Sequence, residues 1–217
     1  MKSIWIDNRA LETVSDIVLD IMLHRSDESE KVKKSIQEAL NMKDYGRALF
    51  IFLIHALILT YIGKTVTIII LSPWISDICF FYAYNPLMAC LNVGEGFSLS
   101  EILNTIAEKD SKVIIITSKF KGEDRTLSKL REEFLMKLSR NINIYYGTIE
   151  RHQKIYGIVD FYYLHGSMNL TYGGIERAYK GGEFLTISRD GYIKSCLLYT
   201  SDAADELDGV DLGGRRI

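Results

Sequence analysis

Apolar residues in the first part of the chain recur at helical spacing. In the segment 31–43 they return every four positions, which places them along one face of a helix. A second helical pattern covers residues 10–24, and a third covers the almost wholly apolar segment 48–62, which ends at Gly63. We therefore expect an N-terminal helical segment over residues 1–62.

After residue 63 the pattern changes to short β-branched runs separated by amphipathic segments. The run 112–118, KVIIITS, is typical of a strand buried on both faces of a sheet. Ser98 followed by Glu101 is a capping box, which marks the start of a helix. Strands that alternate with helices and lead into a hairpin predict an α/β fold for residues 63–195, with a mixed β-sheet flanked by helices. The predicted elements are strands at 65–75, 112–118, 142–147 and 183–188, a hairpin at 154–167, and helices at 98–110, 126–140 and near 170–179.

The last segment, residues 196–217, does not resemble the rest of the chain. It is acidic, rich in glycine and without sustained periodicity, and it resembles translated sequencing-adapter read-through. We exclude it from the fold as non-native sequence and expect the natural chain to continue past residue 195. The 217-residue chain is 47% hydrophobic, which is enough for one globular domain with its own core. Acidic and basic residues nearly balance outside this tail, so net charge selects no class of partner.

Cysteine usage and the apolar segments favour a cytoplasmic protein. Cys79 and Cys90 have neither disulfide nor metal-site spacing, which predicts buried thiols in a reducing compartment. The N-terminus is acidic and amphipathic, unlike a signal peptide. The apolar segment 48–62 contains His55 and is shorter than the ~20 residues of a spanning helix. We interpret it as a helix of the core or of a dimer interface, and not as a membrane anchor.

Residue types that bind phosphate cluster towards the end of the predicted domain. His152 and Lys154 precede an aromatic-rich run, and Gly166, Ser167 and Asn169 follow it. Lysine, serine and asparagine donate hydrogen bonds to phosphate oxygens, and glycine lets a bulky anion approach the backbone. An imidazole beside them is a candidate nucleophile at phosphorus. These residue types therefore predict a site for phosphoryl-transfer chemistry.

The run between the two groups predicts a β-hairpin that turns at residues 160–161. In this register His152 faces Asn169, and Lys154 faces Ser167. Side chains that face each other across two strands share one side of the sheet. We therefore expect the imidazole, ammonium, hydroxyl and carboxamide groups to form one anion-binding patch.

The pattern H-x-K followed by G-S-x-N-x-T, within residues 152–171, resembles the HKD signature of the phospholipase D superfamily. The resemblance covers residues 66–188 and includes the order of strands and helices. It implies a phosphodiesterase that needs no metal and no cofactor, with a phosphohistidine intermediate on His152. It also implies that Lys154 and Asn169 bind the phosphate.

Two acidic positions of the family pattern can be compared with this chain, and one of them matches while the other is shifted. An acidic residue after the motif orients the histidine in the family, and Glu183 matches it here; the same residue is our candidate acceptor for fixing the tautomer of His152. The aspartate of the family pattern falls seven residues after the histidine, where this chain has Val159, and Asp160 comes one residue later. We interpret the departure as a shifted turn.

The motif occurs once, because His152 alone among the four histidines has lysine two residues later. In the family a second histidine protonates the leaving group. We therefore expect a symmetric homodimer, in which each copy supplies one His152 to a shared site. A second motif beyond residue 195 is the alternative. His165, two residues before Ser167, is expected to have a structural role.

Further residues extend the candidate site to substrate binding. Gly166 and Thr171 belong to the motif, and Trp74 lies in a loop after the first strand, where α/β sheets place their ligand loops. Trp74 is expected either to stack on a base or to have a structural role. Ser167 and Glu183 complete the catalytic set with the histidine, lysine and asparagine of the motif.

Three functions are compatible with this site. The first is nuclease-type hydrolysis of nucleic acid, because basic and aromatic residues surround the motif. The segment 72–78, SPWISDI, also resembles phospholipase-D-like proteins encoded beside DNA-modification and phage-defence systems. The second is a phospholipase or phosphatidyl transferase that docks through the apolar segment 48–62. The third is a catalytically silent module that binds nucleic acid within a defence complex.

Overall fold

The computed structural model describes residues 3–24, 29–83, 88–89, 91, 96–118, 125–147 and 154–188. Predictions for Cys90, for His152 and for the tail at 196–217 lie outside these residues. The described helices are α1 (Asn8–His24), α2 (Ser29–Asn41), α3 (Tyr45–Tyr61), α4 (Leu99–Ala107), α5 (Arg125–Leu135) and α6 (Tyr172–Tyr179). The described strands are β1 (Ser3–Ile6), β2 (Thr67–Leu71), β3 (Cys79–Tyr82), β4 (Gly96–Ser98), β5 (Lys112–Ser118), β6 (Ile142–Gly147), β7 (Lys154–Ile158), β8 (Tyr162–Gly166) and β9 (Leu185–Ser188).

Six of these strands form a mixed sheet in the order β6-β5-β2-β7-β8-β9. Strands β6, β5 and β2 run parallel to one another, whereas β7 is antiparallel to β2 and the hairpin and β9 continue antiparallel. The predicted mixed α/β fold is confirmed. This topology brings the ends of β2, β5 and β8 to the same edge as the beginnings of β7 and β9. Chain segments from five strands therefore meet at one edge of the sheet, which we call the site edge.

A second sheet of three short strands was not predicted. Its order is β1-β3-β4, with β1 parallel to β3 and β3 antiparallel to β4. The expectation that the first sixty residues are wholly helical is therefore wrong at β1. Each of these strands has three or four residues, which is too short for a clear alternating pattern.

Helix α3 occupies the centre of the protein, and every residue of Tyr45–Thr60 is buried. Its sequence is apolar on all sides, which is the composition of a helix enclosed by other elements. It contacts α1, α2, α4, α6 and β1. The segment 48–62 is thus a core helix, as one of the two sequence interpretations held. Among the residues that the structure describes, no helix has the length and apolar composition required to cross a membrane.

One apolar core joins the two predicted parts of the chain. Buried residues from Ile4 to Leu185 belong to a single cluster, which α3 and one face of the six-stranded sheet share. The division into residues 1–62 and 63–195 stays a prediction from the sequence. The capping box at the start of α4 is confirmed: Ser98 Oγ accepts from Glu101 N, and the Glu101 carboxylate accepts from Ser98 N.

The hairpin β7–β8 is confirmed, but its register is one residue away from the predicted one. Lys154 pairs with Gly166 and not with Ser167, and Ile158 pairs with Tyr162. The turn has three residues between the paired positions, and Asp160 adopts a φ of 70° in it. Aspartate tolerates this left-handed conformation better than most residues, which lets the chain reverse one residue early. Ser167 consequently lies beyond the end of β8.

Candidate functional site

The loop that follows β2 is fastened to the segment that follows β8. Ser72 Oγ donates to the carbonyl of Trp74 at 2.7 Å and accepts from Leu170 N at 3.2 Å. Ser76 N donates to the carbonyl of Leu170, and Ile75 forms a β-bridge with the same residue. The buried serine thus fixes the loop containing Trp74 beside residues 167–171 at the site edge.

Lys154 begins β7 at this edge, and only 4% of its surface is exposed. Burial lowers the pKa of its ammonium, because the charged form loses hydration; Glu183 acts in the opposite direction, and Arg177 lowers the pKa further. By strand alternation, the side chain of Lys154 shares a face with Tyr156, which belongs to the main core. A buried ammonium of this kind is a strong electrostatic partner for an anion.

Asn169 lies where the chain folds back after β8. The hydroxyl of Tyr156 donates to the carbonyl of Met168 at 2.6 Å, which holds this segment against β7. Asn169 is 8% exposed, and its Oδ1 atom is buried without a hydrogen-bond partner. A buried polar atom without a partner costs about 1–3 kcal/mol, a cost that a hydrogen bond to a ligand would remove. The two ends of an amide exchange by rotation, so that this end presents either oxygen or nitrogen to a ligand.

Ser167 and Gly166 connect β8 to the start of β9. Ser167 Oγ accepts from Phe184 N at 3.1 Å, and Ser167 N donates to the carbonyl of Phe184 at 3.0 Å. A Cβ atom on Gly166 would lie 2.2 Å from that carbonyl oxygen. Glycine is therefore required here by the close approach of β9, which differs from the predicted reason, the approach of an anion.

Thr171 is the N-cap of α6. Its Oγ1 accepts from Gly174 N at 2.9 Å, and the side chain is buried. The cap begins α6 two residues after Asn169 and so determines the direction in which the helix leaves the site edge. In this structure the hydroxyl thus has a local structural partner.

Glu183 lies just before β9, the strand that pairs with β8. Lys154 pairs with Gly166, and Gly166 pairs with Leu185, so these three residues lie side by side on β7, β8 and β9. Glu183 precedes Leu185 by two residues. The carboxylate of Glu183 forms an ion pair with Arg177, with 3.4 Å between Oε1 and Nε. The side chain of Glu183 is 17% exposed. The carboxylate of Glu183 thus interacts with two cationic side chains, with Arg177 in an ion pair and with Lys154 through its charge.

Trp74 is half-buried on its loop, and the guanidinium of Arg131 lies 5.8 Å from the centre of its ring. Arg131 is buried and donates to the carbonyl of Ser118, the last residue of β5. The carbonyl of Pro73 accepts from the hydroxyls of Thr117 and Ser118. These contacts join the Trp74 loop to β5, and they give the indole a cationic partner within the protein.

The structure therefore brings the motif residues Lys154, Gly166, Ser167, Asn169 and Thr171 to one edge of the sheet, together with Glu183. Trp74 lies on the adjoining loop, and His152 is outside the described residues. Sequence reasoning gave no role at this site to Ser72 or Arg131. Each of these contacts depends on pairing between distant segments, and the one local signal was the position of Ser72 directly after a buried strand.

His165 lies away from the lysine. It pairs with Ile155, whose side chain packs against the apolar cluster on the other face of the sheet. Two neighbours on one strand point to opposite faces, so His165 and the Lys154–Gly166 pair are on different sides.

Comparison with known proteins gives no assignment of family. No model of a protein family matches the chain, and no curated protein matches its sequence. Within the described part of the chain, no group of three or more His, Cys, Asp or Glu side chains is placed to hold a metal ion.

Proposed function

We propose that this protein is a metal-independent phosphodiesterase that hydrolyses nucleic acid through a phosphohistidine intermediate, at a site shared by two copies of the chain. The observation that carries the proposal is the pairing of buried Lys154 with Gly166, beside an amide of Asn169 that has a buried end without a partner. A phosphate oxygen would supply the missing hydrogen-bond partner of the amide, and its negative charge would be attracted by the buried ammonium of Lys154.

In the proposed reaction His152 attacks phosphorus with one ring nitrogen. The bond between phosphorus and the leaving oxygen breaks, and that oxygen takes a proton from His152 of the second copy. A water molecule then gives a proton to His152 of the second copy and attacks the phosphorus of the phosphohistidine. The P–N bond breaks, which releases His152 and leaves a phosphate monoester. Lys154, Ser167 and Asn169 would stabilise the charge on the non-bridging oxygens throughout.

Glu183 has two roles in this proposal. It is the candidate acceptor for the second ring nitrogen of His152, which would keep the attacking nitrogen unprotonated. Its negative charge also raises the pKa of Lys154, opposing the effect of burial and helping to keep the ammonium protonated. A carboxylate that lies close to the lysine is suited to both tasks.

The test uses purified protein in EDTA with labelled single-stranded DNA, double-stranded DNA, RNA and phosphatidylcholine. We expect cleavage of a nucleic acid that is abolished in His152→Ala and reduced about 10²–10³-fold in Lys154→Met, as expected for the loss of one charge-stabilising group. His165→Gln, on the opposite face of the sheet, is the matched control and should retain activity.

The other outcomes decide against the proposal in different ways. Turnover of lipid alone would identify a phospholipase or phosphatidyl transferase, and tight binding of nucleic acid without cleavage would identify a silent binding module. A requirement for a divalent metal would overturn the mechanism. Sedimentation of the active form as a monomer would overturn the shared site.

A further inference from the structure

Arg177 lies on α6, which begins directly after the motif segment that contains Asn169. Its side chain is 57% exposed, and its charge acts on the buried Lys154. Its Nε atom is 3.4 Å from Glu183 Oε1, longer than the 2.7–2.9 Å of a strong charge-assisted hydrogen bond. An exposed ion pair of this length contributes little to stability. The contact with Glu183 therefore does not account for the presence of an arginine here.

The two cations are linked through Glu183, which pairs with Arg177 and whose charge acts on Lys154. Lys154, Gly166 and Leu185 are paired in succession on β7, β8 and β9, and Glu183 lies just before Leu185. Two strand spacings correspond to roughly 10 Å. Arg177 contacts Glu183, and its charge lowers the pKa of Lys154, so its guanidinium is close enough to act on the same ligand and is the more exposed of the two cations. A ligand with a single phosphate, bound at Lys154, would have no second anionic group to pair with Arg177.

We propose that Arg177 binds a second phosphate of the substrate, the one adjacent to the phosphodiester that is cleaved. This inference rests on the proposed function and makes it more specific, because the substrate must then carry consecutive phosphodiesters. Arginine presents several N–H donors in a fork that matches two phosphate oxygens. A polynucleotide has the required repeat of charges, whereas phosphatidylcholine carries one phosphate.

The experiment compares two substrates that differ in the number of phosphates. One is a single-stranded DNA oligonucleotide, and the other is bis(4-nitrophenyl) phosphate, a diester with one phosphate. Arg177→Ala should lower kcat/KM for the oligonucleotide at least about tenfold more than kcat/KM for the small diester, the effect of losing one charged contact. Arg177→Lys, which keeps the charge, should recover part of the loss.

Binding gives a readout that does not depend on turnover. With His152→Ala as background, the affinity for the oligonucleotide is measured by fluorescence anisotropy over a range of salt concentrations. Loss of one phosphate contact should reduce the slope of log K against log salt by about 0.7 for a single strand. The matched control is Lys180→Ala on the same helix, whose ammonium pairs with Glu176 and whose side chain is 71% exposed. It should leave both the activity ratio and the slope unchanged.

The inference is overturned if Arg177→Ala reduces turnover of both substrates equally, or if Lys180→Ala has the same effect on the salt slope. A failure of the proposed function looks different. Either the wild-type protein hydrolyses neither substrate, or His152→Ala hydrolyses both substrates as fast as the wild type does. A slope reduced in Arg177→Ala without any hydrolysis would support the phosphate contact while refuting catalysis.

Discussion

His55 provides a quantitative test of the core, because it is a titratable side chain enclosed in α3. It is 2% exposed, its Nδ1 shares a hydrogen bond of 3.0 Å with the hydroxyl of Tyr162, and its ring lies parallel to that of Tyr162. Burial lowers the pKa of His55 from 6.5 to about 3, with further lowering by the charges of Lys64 and Lys33. The imidazole is therefore neutral in the folded protein at all ordinary pH values.

The sign of the effect on stability follows from proton uptake. Between pH 6.5 and about 3 the unfolded chain binds a proton at His55 that the folded protein does not bind. Acid therefore favours unfolding. The free energy of unfolding falls by about 1.4 kcal/mol for each pH unit below the pKa of His55 in the unfolded chain. At about pH 5, roughly 1.5 units below the unfolded value, the cost is about 2 kcal/mol. Above the pKa of His55 in the unfolded chain, His55 makes no contribution to the pH dependence of stability.

The assay is urea unfolding of wild type and His55→Gln, followed by tryptophan fluorescence at several pH values. Glutamine does not titrate but retains a polar group for Tyr162. The free energy of unfolding of the wild type should fall about 2 kcal/mol more than that of the variant between neutral pH and about pH 5. The other titrating groups are present in both proteins, so their effects cancel in the difference. Each protein is compared with its own value at neutral pH, so the absolute stability of the variant does not enter. Parallel curves for the two proteins would refute the reasoning.

Two further substitutions test local geometry by the same unfolding assay at neutral pH. Gly166→Ala places a methyl group 2.2 Å from the carbonyl oxygen of Phe184, so β9 must move, and we expect a loss of about 1–3 kcal/mol. Gly147→Ala is its control, since nothing lies within 4 Å of the added Cβ, and equal losses in both variants would contradict the close approach. Ser98→Ala removes the N-cap of α4 and should cost about 1 kcal/mol. Thr105→Ala, on the exposed side of the same helix, should cost much less, and a loss equal to that of Ser98→Ala would argue against the cap.

Elements whose signal is local could be predicted from the sequence. The strand at Lys112–Ser118 has an uninterrupted β-branched run, and α4 begins at a serine with glutamate three residues on, so neighbouring residues alone determine both. The short strands β1, β3 and β4 depend on partners far along the chain, and no local pattern identifies them. The hairpin register depended on the conformation of Asp160, whose positive φ the sequence allows but does not require.

The same distinction applies to the candidate site. Lys154, Ser167 and Asn169 could be selected from the sequence, because a motif with fixed spacing joins them. The pairing of Arg177 with Glu183, six residues apart, needs the turn after α6 to bring the helix back beside the strand. The close approach of Phe184 to Gly166 likewise depends on how β9 packs, which residue types alone do not indicate.

The parallel pairing of β1 with β3 has a consequence during synthesis on the ribosome. Ser3 is paired with Cys79, so the first strand has no partner until three helices and β2 have been made. Trp5, within this strand, is a large apolar side chain that remains 70% exposed even when folding is complete. The nascent chain thus carries an unpaired, aromatic strand at least until Tyr82 has been made, a stage at which holdase chaperones bind such segments and aggregation competes with folding.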